Sequence, residues 1–390
     1  MSRSICIVTG TRAEYGLLRW LMEEVRDDPE LELRVLATGM HLSPEFGLTY
    51  REIEEDGFEI SERVEMLLSS DSPVGIAKSI GVGTIGFADA FRRLEPDIVV
   101  VLGDRFEVLA AAQAAMVARI PLAHLYGGEA TEGLIDEPIR HAVTKMSHYH
   151  FVTTDAYRRR VIQLGEAPER VFNYGAPGLD ALERIELMTP EQLEKELGFE
   201  LDSPTFLVTY HPVTLDRADP ADRFEEVLAA LNRFPEARVV FTKTNADTHG
   251  RSINRMIDRY SDQHPDRCAA FVSLGQRRYL SLLREADVVI GNSSSGLLEA
   301  PSLSTPTVNV GPRQQGRVRA ASVVDCREER EEIDDAVRKT LSQEFRERAR
   351  RTKSPYGGPG ASSRIKERLK RVDLEDVLMK RFHDLEGREK

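Results

Sequence analysis

The chain has 390 residues, 41% hydrophobic and 30% charged, with a net charge of −12. That length suits two domains of ordinary size, each able to bury a core of its own. The acidic balance excludes a protein that wraps nucleic acid or coats an anionic membrane, since both need a basic face; it leaves room for a local basic pocket around one phosphorylated ligand.

The N-terminus runs straight into the strand-like Ile5-Cys6-Ile7-Val8, too short for the core of a signal peptide. Leu17, Leu18, Leu21, Met22 and Val25 then recur at helical spacing. Strands are predicted at Glu32–Thr38, Asp97–Leu102, Ile120–His124, His150–Thr153 and Val171–Tyr174, with helices over 76–94, 106–118 and 136–148 between them. Residues 180–203 are charged and helical, with a helix start at Thr189-Pro190, and read as an interdomain connection. A second alternating series follows: TFLVTY, ARVVFTK, AAFVSL, DVVIGN, PTVNV and SVVDC. The tail from about Ser362 is helical, charged and amphipathic.

Such alternation is the mark of βαβ units. The expected fold is α/β: two doubly wound, Rossmann-like domains over 1–185 and 200–361, facing each other across a cleft, with a tail over 362–390 that packs back on the first domain or stays solvated. Cys6, Cys268 and Cys326 sit in or beside apolar runs with no Cys-x-x-Cys, and read as buried free thiols of a reducing compartment. No stretch approaches the roughly 20 apolar residues that span a bilayer. The expectation is a soluble cytoplasmic protein with no membrane or nucleic-acid partner.

In doubly wound sheets, ligands bind beyond the carboxyl ends of the strands. Gly291-Asn292-Ser293-Ser294-Ser295-Gly296 follows a buried strand and opens a helix, whose unpaired N–H groups suit a diphosphate. A serine N-cap would need only one of those serines. Glu299, one turn on, suits ribose hydroxyls or is an exposed helix residue. Thr9-Gly10-Thr11-Arg12 lacks the second and third glycines of the dinucleotide fingerprint, and Arg12 there suits a phosphate clamp. Asp104, in Gly103-Asp104-Arg105-Phe106-Glu107, reads from spacing alone as a helix N-cap. Glu129 ends His124-Leu125-Tyr126-Gly127-Gly128-Glu129, and Asp136, Glu137 and Arg140 open the next helix. His141, Lys145 and His148 fall on one face of that helix. The carboxylates Asp104, Glu129, Asp136 and Glu137, on neighbouring loops, form a candidate acid/base set. His211, Lys243, Asn245, Arg313 and Arg317 occupy strand ends and a glycine-flanked loop of the second series.

In order, TGTRAEYG, GDRFE, HLYGGE, DEPIRHAVTKMSH, TYHP, GNSSSG and GPRQQGR resemble the UDP-N-acetylglucosamine 2-epimerase family over most of the chain. The resemblance implies a GT-B-like architecture with the nucleotide on the second domain. GGEATEGLIDEPIRHAVTKMSH is similar to the hydrolysing branch, which releases UDP and a free manno-configured sugar such as N-acetylmannosamine for sialic or legionaminic acid synthesis. The implied chemistry is elimination to a glycal, then hydration. It casts Asp104, Glu129, Asp136 and His211 as catalytic. Arg12, Ser293, Ser294, Ser295, Gly296, Glu299 and Arg317 fall to the nucleotide, and Glu137, Arg140, His141, Lys243, Asn245 and Arg313 to the sugar. No nicotinamide cofactor or obligatory metal is implied, and the partner expected is a second copy, as dimer or tetramer. Two departures stand out: Tyr126 holds a position often acidic in relatives, and Asp136-Glu137 replaces a frequent pair of aspartates. A diacetylbacillosamine-type sugar on UDP or GDP is the alternative substrate. A glycosyltransferase of the same architecture and a nucleotide-sugar binding protein are the alternative functions.

Overall fold

The computed structural model describes residues 2–68, 72–131, 135–202, 204–212, 219–244 and 250–385. They form two compact units, the first from residues 1–129, 135–181 and 356–390, the second from 130–134 and 182–355. In the first, Arg3–Thr9 (β1), Leu31–Thr38 (β2), Ile60–Val64 (β3), Ile98–Leu102 (β4), Leu122–Leu125 (β5), Tyr149–Val152 (β6) and Val171–Asn173 (β7) pair in parallel in the order β3-β2-β1-β4-β5-β6-β7. In the second, Thr205–Thr209 (β8), Arg238–Thr242 (β9), Cys268–Phe271 (β10), Val288–Gly291 (β11), Thr307–Val310 (β12) and Val323–Cys326 (β13) pair in the order β10-β9-β8-β11-β12-β13. The helices are Arg12–Arg26 (α1), Tyr50–Glu55 (α2), Pro73–Leu94 (α3), Phe106–Val117 (α4), Asp136–Met146 (α5), Asp155–Gln163 (α6), Ala181–Arg184 (α7) and Pro190–Leu197 (α8). They continue with Pro220–Leu231 (α9), Gly250–Gln263 (α10), Gly275–Glu285 (α11), Ser295–Ser302 (α12), Arg330–Leu341 (α13), Gln343–Arg351 (α14) and Ala361–Arg371 (α15).

Central strands such as β4 (IVVVL, every residue buried) read as continuous apolar runs because helices cover both faces of a parallel sheet. Each sheet reverses its strand order once, between β1 and β4 and between β8 and β11. The carboxyl ends of those pairs are where an open α/β sheet leaves a crevice.

Three expectations need correction. The strand β3 was missed: it is an edge strand whose Ser61, Glu62 and Arg63 are only partly buried or exposed, so its sequence is polar. The tail helix ends at Arg371, and residues 372–385 follow without helix. The bilayer reading fails on α3, which is 22 residues long and apolar enough by length and composition to cross one. Its glycines and alanines dilute what consecutive strongly apolar residues would signal. The helix packs beside α4 in the first unit.

One helix start behaves as its sequence predicts, and another is capped from far along the chain. Thr189 and Gln192 form a capping box ahead of Pro190, and Leu193 and Leu197 of α8 are buried. Asp180 receives the backbone N–H groups of Gly360, Ala361 and Ser362 at 2.6, 3.0 and 2.7 Å, which fastens the start of α15 to the first unit. Ile365 and Leu369 of α15 are buried, and the helix contacts α1.

Candidate active site

At the reversal of the first sheet, Thr11 and Glu14 cap α1 reciprocally. The Glu14 Oε2 accepts from the N–H groups of Gly10 and Thr11 at 2.7 and 3.2 Å. Burial, with Glu107 nearby, pushes the Glu14 carboxyl up to about 7, against the pull of Arg105 and those two N–H groups. Arg105 spans the Glu107 carboxylate with Nε and Nη2, both at 3.2 Å. Asp136 adds to the negative field on Arg105. Glu14 and Glu107 escaped the sequence reading, although Thr11-x-x-Glu14 is a capping-box pattern visible in one dimension.

Asp104 is not the N-cap of α4. Arg105 takes that position, without a side-chain cap bond. Asp104 instead accepts from the Arg140 guanidinium, which is buried to 3%. Arg140 also donates to Glu137 at 3.0 Å, and Glu137 meets His141 Nε2 at 3.1 Å. The sequence-derived set Asp104, Glu137, Arg140 and His141 is thus one connected network from the end of β4 to the start of α5. His124 steadies it from behind: its Nε2–H donates to the Gly103 carbonyl at 2.7 Å, and its Nδ1 faces the Thr144 hydroxyl at 3.1 Å. Burial drives the His124 pKa down to about 3, so the ring is neutral.

Other members of the set make contacts of their own. Glu129 is 2% exposed and accepts from the Thr153 hydroxyl at 3.1 Å. Arg12 is half-exposed and pairs with Glu52 at 3.3 Å. The shared face of His141, Lys145 and His148 does not form, because α5 stops at Met146. Lys145 pairs with buried Glu166, and His148 Nδ1 accepts from Leu122 N–H at 3.1 Å. Tyr126, at the end of β5, is buried with φ at 65°, a left-handed backbone that a tyrosine adopts only under constraint.

In the second unit, Asn292 ties the two strands of the reversal together. Its Oδ1 accepts from His211 N–H at 2.7 Å and its Nδ2 donates to the His211 carbonyl at 2.8 Å. Its own carbonyl receives Arg313 Nη1 at 3.0 Å and Gln314 Nε2 at 2.8 Å. Asn292 belongs to the serine-rich sequence motif, but its clamp across the sheet has no one-dimensional signal. Burial, then Arg313, lowers the His211 pKa to about 3, and its Nδ1 has no partner among the described residues. Ser293, Ser294, Ser295 and Gly296 open α12, and Ser294 at the cap position makes no side-chain cap bond. Its hydroxyl is therefore not spent on its own helix. Burial raises the Glu299 pKa, opposed by Arg317, and Glu299 Oε2 is buried without a partner among the described residues. Tyr279 of α11, outside every sequence motif, comes beside Ser295 and Thr209. Lys243 pairs with Asp258 at 2.5 Å. Asn245 lies outside the described residues.

Gly291 has φ of 135°, and a Cβ there would stand 1.9 Å from the Thr209 carbonyl oxygen. Gly291→Ala is expected to cost at least about 3 kcal/mol of stability in the second unit. Urea denaturation measures it, and a loss below about 1 kcal/mol would show that the backbone relaxes there.

Residues 23–370 match the family model described as UDP-N-acetylglucosamine 2-epimerase. The chain is 43% identical to a GDP/UDP-N,N'-diacetylbacillosamine 2-epimerase (hydrolyzing) of Campylobacter jejuni, covering 98% of this chain and 99% of that one. It is 36% identical to the UDP-N,N'-diacetylbacillosamine 2-epimerase (hydrolyzing) of Legionella pneumophila, covering 97% and 98%. Among solved structures, the UDP-GlcNAc 2-epimerase of Neisseria meningitidis bound to UDP-GlcNAc has the same fold, with a TM-score of 0.82 at 20% identity over 94% of this chain and 99% of that one. With a family model covering most of the chain and relatives this similar along its whole length, the chain belongs to the UDP-N-acetylglucosamine 2-epimerase family.

Proposed function

We propose that this chain is a hydrolysing 2-epimerase that cleaves a nucleotide-linked N,N'-diacetylbacillosamine to the nucleoside diphosphate and a free sugar inverted at carbon 2. The observation that carries the reading is the different chemistry at the two strand-order reversals. One offers a carboxylate held by a buried guanidinium; the other offers a serine-rich helix start beside a neutral histidine.

The serines, the first N–H groups of α12 and His211 suit the leaving diphosphate. The buried Glu299 Oε2, without a partner among the described residues, suits ribose hydroxyls. In the first unit, a base takes the carbon 2 proton as the C1–O bond breaks, and the bonding electrons leave with the diphosphate. A glycal results. Water then adds its hydroxyl at carbon 1, and a proton returns to the opposite face of carbon 2. Asp104 and Asp136 are the carboxylates assigned to proton transfer. Glu129, held by Thr153, positions its loop. The choice of a diacetylated sugar is supported by Tyr126, where relatives often carry an acid, and by the two hydrolysing relatives named above.

Incubation in D2O with the UDP- and GDP-linked sugar, followed by proton NMR, tests the proposal. The expected product is a free 2-epimer deuterated at carbon 2, with nucleoside diphosphate. UDP-N-acetylglucosamine is the competing substrate; faster turnover of that sugar would reassign the specificity. Release of a still nucleotide-linked epimer would overturn hydrolysis.

A further inference from the structure

The second unit holds a cavity of about 590 Å³ that shares no residue with the site described above. That volume lies within the roughly 300–1,000 Å³ of small-molecule sites. Its walls are the turn before β13 and one face of α14 with the segment that follows it. Four cations line it: Arg319, Arg348, Arg351 and Lys353. Two carboxylates, Glu344 and Glu347, share the α14 wall, since Glu344, Glu347, Arg348 and Arg351 recur at helical spacing. In a chain of net charge −12, this local excess of positive charge runs against the whole. Arg319 is fixed in place: its Nε meets the Asp325 carboxylate at 2.6 Å, and Nη1 and Nη2 donate to the carbonyls of Arg317 and Gln314 at 2.5 and 3.1 Å. The Arg348 guanidinium lies over the Phe345 ring at 4.2 Å. Arg346, on another side of α14, pairs with Asp287 at 3.0 Å. Among the described residues, Arg351 and Lys353 have no carboxylate within 4 Å, although Glu347 stands one turn before Arg351.

We propose that this cavity binds a phosphorylated sugar, with the phosphate towards Arg348, Arg351 and Lys353 and the hydroxyls towards Glu344 and Glu347. Guanidinium groups take phosphate oxygens in pairs, and the lysine adds a point charge beside them. The two carboxylates repel a bare polyanion and accept from hydroxyl groups. Ala320, Ala321 and Pro355 complete the lining with a small apolar wall for the carbon face of a sugar ring. A lining of both signs favours a molecule with phosphate at one end and hydroxyls at the other over either group alone.

Calorimetric titration of the full chain with glucose 6-phosphate, in excess UDP, tests this. One saturable site is expected, with inorganic phosphate weaker by about tenfold or more and glucose giving no measurable heat. Arg351→Glu with Lys353→Glu is expected to weaken glucose 6-phosphate by about tenfold or more. Glu344→Ala with Glu347→Ala is expected to bring it to the level of inorganic phosphate. All four side chains are exposed, so circular dichroism should not change. No saturable binding of glucose 6-phosphate overturns the site, as does a charge-reversed variant that binds as tightly as the unaltered chain. Equal affinity for glucose 6-phosphate and inorganic phosphate overturns the sugar. Binding seen only without UDP would place the probe in the catalytic site and end the proposal.

Discussion

Asp104→Asn is expected to lower kcat by about a thousandfold while the fold stays intact. Asparagine keeps the shape of aspartate and one oxygen for the Arg140 guanidinium, which is too deeply buried to be left without a partner. Glu137 continues to hold Arg140 from the other side. The substitution therefore removes the ability to carry a proton and little else. A loss in kcat with KM within about threefold, and an unchanged melting temperature, would assign the proton to Asp104. A kcat within about tenfold of the unaltered enzyme would remove Asp104 from proton transfer and leave it a positioning role through Arg140.

Acid is expected to unfold the chain well before carboxylate titration is complete. Burial pushes the buried His41, His124 and His148 down to about 4, 3 and 4, whereas an unfolded histidine titrates near 6.5. Below that value the unfolded chain binds protons that the folded chain refuses. The stabilisation is therefore complete above about pH 6.5 and is lost as pH falls towards 4 and then 3. Each of the three histidines costs up to about 1.4 kcal/mol per pH unit in that window, about 4 together. Glu14 works in the opposite sense. Its pKa is raised to about 7, so its contribution is full in acid and lost as pH rises through 7. One such group is outweighed by three histidines below pH 6. Glu166 and Asp28, lowered to about 2, add a further loss below about pH 4. A melting temperature lower by roughly 10 °C at pH 5 than at pH 7, with net proton uptake on unfolding, is the expected result. A flat profile over that range would show that the three rings are protonated in the folded chain.

Much of the architecture is legible in one dimension because buried parallel strands are short apolar runs, and helices between them keep a regular period. The strands β1, β4, β5, β6, β8, β11 and β12 follow that rule, and the edge strands β7, β10 and β13 keep short apolar runs although they are only partly buried. The edge strand β3 does not, since solvent on one side lets Glu62 and Arg63 stand where a core strand would carry valine. For the site, the phosphate-type turn at Gly291–Gly296 is legible because its chemistry is contiguous. Glu14 and Glu107 are not, because they meet only once β1 and β4 pair across the 88 residues between Thr9 and Ile98. His148 shows the converse: helical spacing placed it with His141, and the helix ended two residues too soon. Tertiary partners decide which chemically suited residues are free to act.

The grip of Asp180 on the start of α15 also governs how this chain can be made. The first unit buries Ile365 and Leu369 of a segment translated after Leu182–Pro355. During vectorial synthesis the N-terminal sheet must wait, with the side of α1 that receives α15 unclothed, while the later sheet emerges and folds. A chain ending at residue 355 and released from the ribosome would therefore hold a finished second unit and an unfinished first one. Supplying residues 356–390 as a separate peptide should then complete the first unit in trans.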